Sequence, residues 1–104
     1  MNQMQQQVAD FVAQNRLETD VVHRLLDVMS EVGELSKEVL KASSYGSQPF
    51  VPGAAWKDEL GDVIFSLICV ANTTRVDVEE AVQGALQKYR GRISQKGNAG
   101  SEIK

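Results

Sequence analysis

The chain has 104 residues, 42% hydrophobic and 24% charged, a balance that fits one domain with a single modest core and excludes wholesale disorder. A net charge of −3, with basic residues scattered except toward the C-terminus, excludes a general electrostatic attraction to nucleic acid. No basic N-terminal segment leads into an apolar one, and the apolar run 63–71 is far shorter than the roughly 20 residues that cross a bilayer, so no membrane partner is expected and a cytoplasmic location is the default.

Met4, Val8, Phe11 and Val12 recur at helical spacing and predict a short first helix ending near Asn15. Thr19 or Asp20 can cap a second helix, whose stripe Val22, Leu25, Leu26, Met29, Val32, Leu35 and Val39 runs to the serines at 43 and 44. Both prolines fall between Ser43 and Gly53, which marks a loop. A third helix is expected from about Ala54 to Asn72 or Thr74, with Trp56, Leu60, Val63, Ile64, Leu67 and Ile68 as core candidates and Cys69 as a small core residue rather than half of a disulfide. Asp77 followed by Glu80 is a capping-box pattern that opens a fourth helix carrying Val78, Ala81, Val82, Ala85, Leu86, Tyr89 and Ile93. From about residue 96 to 104 the pattern stops, leaving either a flexible tail or a loop that orders on a ligand. No hairpin signal or alternating run predicts a strand, so the fold expected over 1–104 is a single all-α domain resembling a four-helix bundle. The third helix is apolar nearly all round and has more surface than three short neighbours cover, which predicts that oligomerisation completes the bundle.

Two acidic pairs interrupt this apolar scheme. Glu31 and Glu34 are three residues apart on the second helix, as are Glu59 and Asp62 on the third, and that spacing puts each pair on one helical face. Asp62 directly precedes the apolar run and is expected close to, or inside, the region that excludes water, where a carboxylate needs a basic partner, a raised pKa or a cation. Oxygen ligands without thiol or imidazole suit a hard cation, Mg2+ or Mn2+. Glycines at 33 and 61, each beside an acidic pair in a helix interior, point to close approach of a backbone or ligand. The competing expectation is that Asp20, His23, Arg24, Asp27, Glu31, Glu34, Lys37, Glu38 and Lys41 form only the solvated face of a surface helix.

The segments Ser30-Glu31-Val32-Gly33-Glu34-Leu35 and Lys57-Asp58-Glu59-Leu60-Gly61-Asp62-Val63-Ile64-Phe65 closely resemble the signature blocks of the MazG-like all-α nucleoside triphosphate pyrophosphohydrolases, Glu-Glu-x-x-Glu and then Glu-x-x-Asp. The resemblance runs from about Leu25 to Arg92 and includes Asn72 and the basic stretch from Lys88 to Arg92. It implies a helical dimer or dimer of dimers in which Glu31, Glu34, Glu59 and Asp62 bind Mg2+ and a nucleoside triphosphate is cleaved between its α and β phosphates, with nucleotide-pool house-cleaning as one cellular task. Ser30 departs from the first glutamate of the pattern, which puts the outer shell of the site in doubt rather than the ligands.

Within that frame Glu34 or Glu38 is the expected acceptor of the attacking water's proton. Lys88, Arg92 and Lys96, with Arg90 nearby, are expected on the distal phosphates; Trp56, Phe50 and Tyr45 are candidates to stack on a base whose edge Asn72 could read, with core packing the stronger expectation for Trp56. His23 is expected to be exposed rather than catalytic. Two alternatives stand beside this reading: a phosphoribosyl-ATP pyrophosphohydrolase, and a non-catalytic helical dimerisation or regulatory module. A di-iron bundle needs Glu-x-x-His pairs, and a chain with a single histidine does not supply them.

Overall fold

The computed structural model of the protein describes residues 2–97 and 100, so the expectation for the C-terminal tail lies almost wholly outside the described residues. Four helices follow one another: α1 (Gln3–Gln14), α2 (Val21–Ala42), α3 (Trp56–Thr73) and α4 (Val78–Lys96). No strand occurs among the described residues.

The starts obey the capping chemistry of their sequences. Asn2, Asp20 and Asp77 accept hydrogen bonds from the backbone N–H groups of Gln5, His23 and Glu80, each satisfying an orphan donor of the first turn. These bonds hold the carboxyls of Asp20 and Asp77 below the usual range. The third start differs: Ala55 offers no capping side chain, so α3 begins inside a turn whose Trp56 N–H reaches Gly53 O, and Asp58 and Glu59 complement its dipole.

The ends repeat one device. After α1, α2 and α3 the chain turns through left-handed residues, Arg16, Ser44 and Arg75, with φ between 49° and 60°. The next N–H in each case bonds five residues back, Leu17 to Val12, Tyr45 to Leu40 and Val76 to Ala71, which is the Schellman pattern. Only α4 ends on a glycine, Gly97.

α2 and α3 form the main packed pair, with α1 laid on α3. The shielded residues of α2 are Arg24, Val28, Glu31, Leu35, Glu38 and Ala42, and the shielded residues of α3 include Trp56, Glu59, Val63, Ser66 and Val70, whose spacing puts them on one face. Alternating steps of three and four make both sets coiled-coil-like seams. This corrects two sequence expectations. The polar stripe of α2 is not simply a solvated face, since Arg24, Glu31 and Glu38 lie in the seam. Its apolar stripe is the side left open, with Val22, Leu25, Leu26, Met29 and Val32 all exposed. Leu60, Ile64 and Leu67 of α3 are exposed as well, and α4 buries no residue fully. The helix positions were legible, but the choice of inward face depends on which neighbours the chain itself provides.

α1 turns Gln5, Val8, Ala9 and Val12 inward, and Phe11 meets Phe65 edge to face at 6.1 Å. The guanidinium of Arg24 donates to Leu17 O at 2.6 Å, which ties the α1–α2 connection to the seam.

Candidate metal and phosphate site

Glu31 reaches the seam from α2, and Glu59 and Asp62 come from one turn of α3. One carboxylate oxygen from each lies within 4.8 Å of the others. Glu31 and Glu59 are half-buried and Asp62 is exposed, so Asp62 lies beside the water-excluding region, next to buried Val63, rather than inside it. Burial first, then the negative field of Asp62, Glu34, Glu38 and Glu31, pushes the Glu59 carboxyl above its ordinary range.

The donor set fits a hard divalent cation. Glu31, Glu59 and Asp62 could each offer such a cation one carboxylate oxygen. Glu34, the fourth predicted ligand, lies alongside with its side chain 53% exposed and 3.7 Å from Lys37 Nζ. Glu38 is more shielded, 20% exposed, with Lys41 Nζ 3.3 Å away. A methyl group placed on Gly33 or Gly61 would meet no atom within 4 Å, so the close approach inferred from these glycines is absent within the protomer.

Trp56 stands one turn before Glu59, half-buried, its ring 5.0 Å from Phe50. Tyr45 is exposed in the loop. Asn72 sits at the opposite end of α3 from Trp56, about 24 Å away at 1.5 Å per residue, so the two cannot flank one base within a protomer. Lys88 and Arg92 lie over Tyr89 of α4, at 5.2 and 5.7 Å from the ring centre. Lys96 closes the same helix, its Nζ 3.5 Å from Gly100 O. His23 is exposed, as expected, and bonded to Asp20 at 2.8 Å.

The sequence reading missed a cavity of about 340 Å³ at the far end of the seam. Ala9 and Val12 form an apolar wall, and Thr19, Arg24, Asn72 and Thr73 bring polar groups to it. Arg24 precedes Glu31 by seven residues and Cys69 follows Asp62 by seven, so the cavity lies two turns, about 10 Å, along the same faces as the carboxylates. The available signal was Arg24 in the polar stripe of α2, at seam spacing from Glu31. Cys69 also lines the cavity, but burial pushes its thiol above the usual range, which makes it a poor nucleophile.

Residues 22–95 match the family profile described as the MazG nucleotide pyrophosphohydrolase domain. Among curated proteins, the uncharacterized protein YpjD of Bacillus subtilis (strain 168) is 35% identical over 65 residues, which are 60% of this chain and 57% of the relative. The match therefore spans less than two thirds of that relative's length. No solved structure matches the chain.

Proposed function

This chain belongs to the MazG nucleotide pyrophosphohydrolase family, and from that premise we propose that it is a Mg2+-dependent nucleoside triphosphate pyrophosphohydrolase, releasing a nucleoside monophosphate and pyrophosphate. The observation that carries the reading is the meeting of Glu31, Glu59 and Asp62 within 4.8 Å across two helices. Three carboxylates have no reason to converge for stability, because like charges in one site oppose each other.

In this proposal Glu31, Glu59 and Asp62 hold the cation, and Glu34 joins them by leaving Lys37. Mg2+, with Mn2+ as a substitute, supplies charge neutralisation at the phosphate oxygens and acidifies water. Glu38, one turn beyond Glu34, receives the attacking water's proton on a carboxylate oxygen, a role open to Glu34 wherever it is not a ligand. Lys88, Arg92 and Lys96 hold the distal phosphates through charge-assisted hydrogen bonds. The nucleoside end takes the cavity beside Asn72 and Arg24, a nucleoside's reach from the carboxylates. Trp56 then stacks on a base only if a second chain brings it there. Nucleotide-pool house-cleaning is one cellular task that fits this chemistry, and control of a signalling nucleotide is another.

The open stripes of α2, α3 and α4 support a homodimer or a dimer of dimers. The radius of gyration, 16.9 Å, exceeds the roughly 13 Å of a compact chain of this length, as expected for a protomer whose helices await a second copy. Among the described residues no helix is long and apolar enough to cross a membrane.

The test is turnover of a triphosphate panel with product identification. Pyrophosphate release that stops in excess chelator is expected, and Asp62→Asn should lower activity by at least a hundredfold while the helical fold is retained. Mg2+ alone should raise the melting temperature of the parent and much less that of Asp62→Asn, since only a folded-state site gains from the ion. Orthophosphate as the released product would overturn the assigned bond. Equal Mg2+ shifts with near-parental turnover would return the acidic cluster to surface charge and favour a non-catalytic module.

A further inference from the structure

Gln5 is the most deeply buried large side chain, 1% exposed, although it is polar and lies near the start of the described chain. Its amide is fully engaged. Nε2 donates to Asn72 Oδ1 and to Val76 O, both at 2.9 Å, and Oε1 accepts from Val78 N at 2.7 Å and from Asn2 Nδ2 at 3.2 Å. Asn72 Nδ2 returns a bond to Gln5 O at 3.1 Å. One side chain thus joins α1, the last turn of α3, the α3–α4 turn and the first N–H of α4.

That junction is the root of α4, a helix in which only Val78, Ala85 and Arg92 are even half-shielded among the described residues. α4 buries no residue fully, so its direction depends on the backbone at 74–78. Val76 O and Val78 N, the two groups that flank the cap residue Asp77, are the ones Gln5 fixes. A helix of 19 residues is a lever about 28 Å long. A swing of about 10° at its root moves Lys88 by roughly 3 Å and Arg92 by roughly 4 Å, and a misplacement of about 1 Å at a reacting centre can cost a hundredfold in rate.

We infer that Gln5 is a positioning residue: it sets the direction of α4 and thereby delivers the basic residues of that helix to the polyphosphate. This deepens the reading of α4 as the phosphate-binding helix and rests on it. The mechanical half, control of α4's direction, stands apart from activity and is measured apart from it.

The test compares Gln5→Met, which keeps the length and removes every amide bond, and Gln5→Asn, which keeps the amide but shortens its reach, with Val8→Ala, which loosens the packing of α1 without touching the junction. Spin labels at Ser36 on α2 and Gln87 on α4, in a Cys69→Ala background diluted with unlabelled chain, should show a distance distribution shifted or broadened by about 3 Å in both Gln5 variants and unchanged in Val8→Ala. KM for the triphosphate and the inhibition constant of pyrophosphate should rise at least tenfold in the Gln5 variants, while the Mg2+-induced melting shift stays parental. An unchanged label distance in either folded Gln5 variant overturns the inference whatever the kinetics. Equal kinetic losses in Val8→Ala at matched melting temperature also overturn it, since the effect is then general packing. A displaced α4 with unchanged KM and pyrophosphate inhibition overturns the delivery of basic residues, and absence of any pyrophosphohydrolase turnover in the parent removes the phosphate-binding reading while the label distances still decide whether Gln5 directs α4.

Discussion

Glu59 concentrates the electrostatic cost of the site. Its carboxyl titrates above the ordinary value of 4.5 because burial and four neighbouring acids disfavour the charge. The folded chain therefore keeps a proton that the unfolded chain has already released. The associated stability is fully present below the unfolded carboxylate range and is lost as pH rises through the raised value. Asp20 and Asp77, lowered by their capping bonds, act oppositely and in a different window, losing their contribution as pH falls below about 3.8. The metal-free protein should accordingly lose melting temperature as pH rises from about 4.5 toward neutrality. Glu59→Gln should flatten that fall, and saturating Mg2+ should offset it in the parent but not in the variant. A pH-independent melting temperature in the metal-free parent would contradict this account. The residues of the cluster were legible because spacing on a helix is encoded directly in the sequence. The inward turn of Arg24, Glu31 and Glu38 was not, because a polar stripe in sequence does not say whether water or another helix faces it.

At the scale of the element, boundaries were read to within a residue or two, since Asn15, Asp20, Ser43 and Asp77 carry their own capping chemistry. The Schellman ends at Arg16, Ser44 and Arg75 were not anticipated, because the expected marker of such an end is glycine. These residues hold positive φ without glycine's freedom, a conformation that costs an L side chain about 1 kcal/mol or more. Arg75 lies within the junction that Gln5 fixes, so Arg16 is the cleaner test. Arg16→Gly should raise stability by about 0.5 to 1 kcal/mol, the relief of strain exceeding the entropy given to the unfolded chain. Denaturant titration at fixed protein concentration checks this, and a loss of stability would show that the arginine side chain makes a contribution larger than the strain.

For the molecule as a whole, the exposed apolar residues of α2 share one stripe with Gly33: Leu26, Met29 and Gly33 lie at spacings of three, four and seven. A glycine open to space beside exposed leucine and methionine is what a second helix needs in order to approach closely. Leu26→Glu should therefore lower the sedimenting mass toward that of one 11.4 kDa chain and reduce activity with it. A parent that is already a fully active monomer at low micromolar concentration would exclude the proposed assembly. The excess of apolar residues on α3, on which the expectation of a second copy rests, was visible in the sequence. Which face it would cover was not, since that depends on the polar seam having taken the opposite side of α2.

That seam carries an evolutionary consequence. Glu59 occupies the step between Trp56 and Val63 where a leucine would extend the apolar interface, and Glu31 stands between Val28 and Leu35 in the same way. Selection for folding alone would replace both, because filling such positions with hydrophobes commonly stabilises a helical pair. Acids at the centre of the main packed helix pair therefore point to a role other than stability. A sequence redesigned for higher melting temperature will tend to erase them first, so thermostabilised versions of this chain should be designed with positions 31, 59 and 62 held fixed.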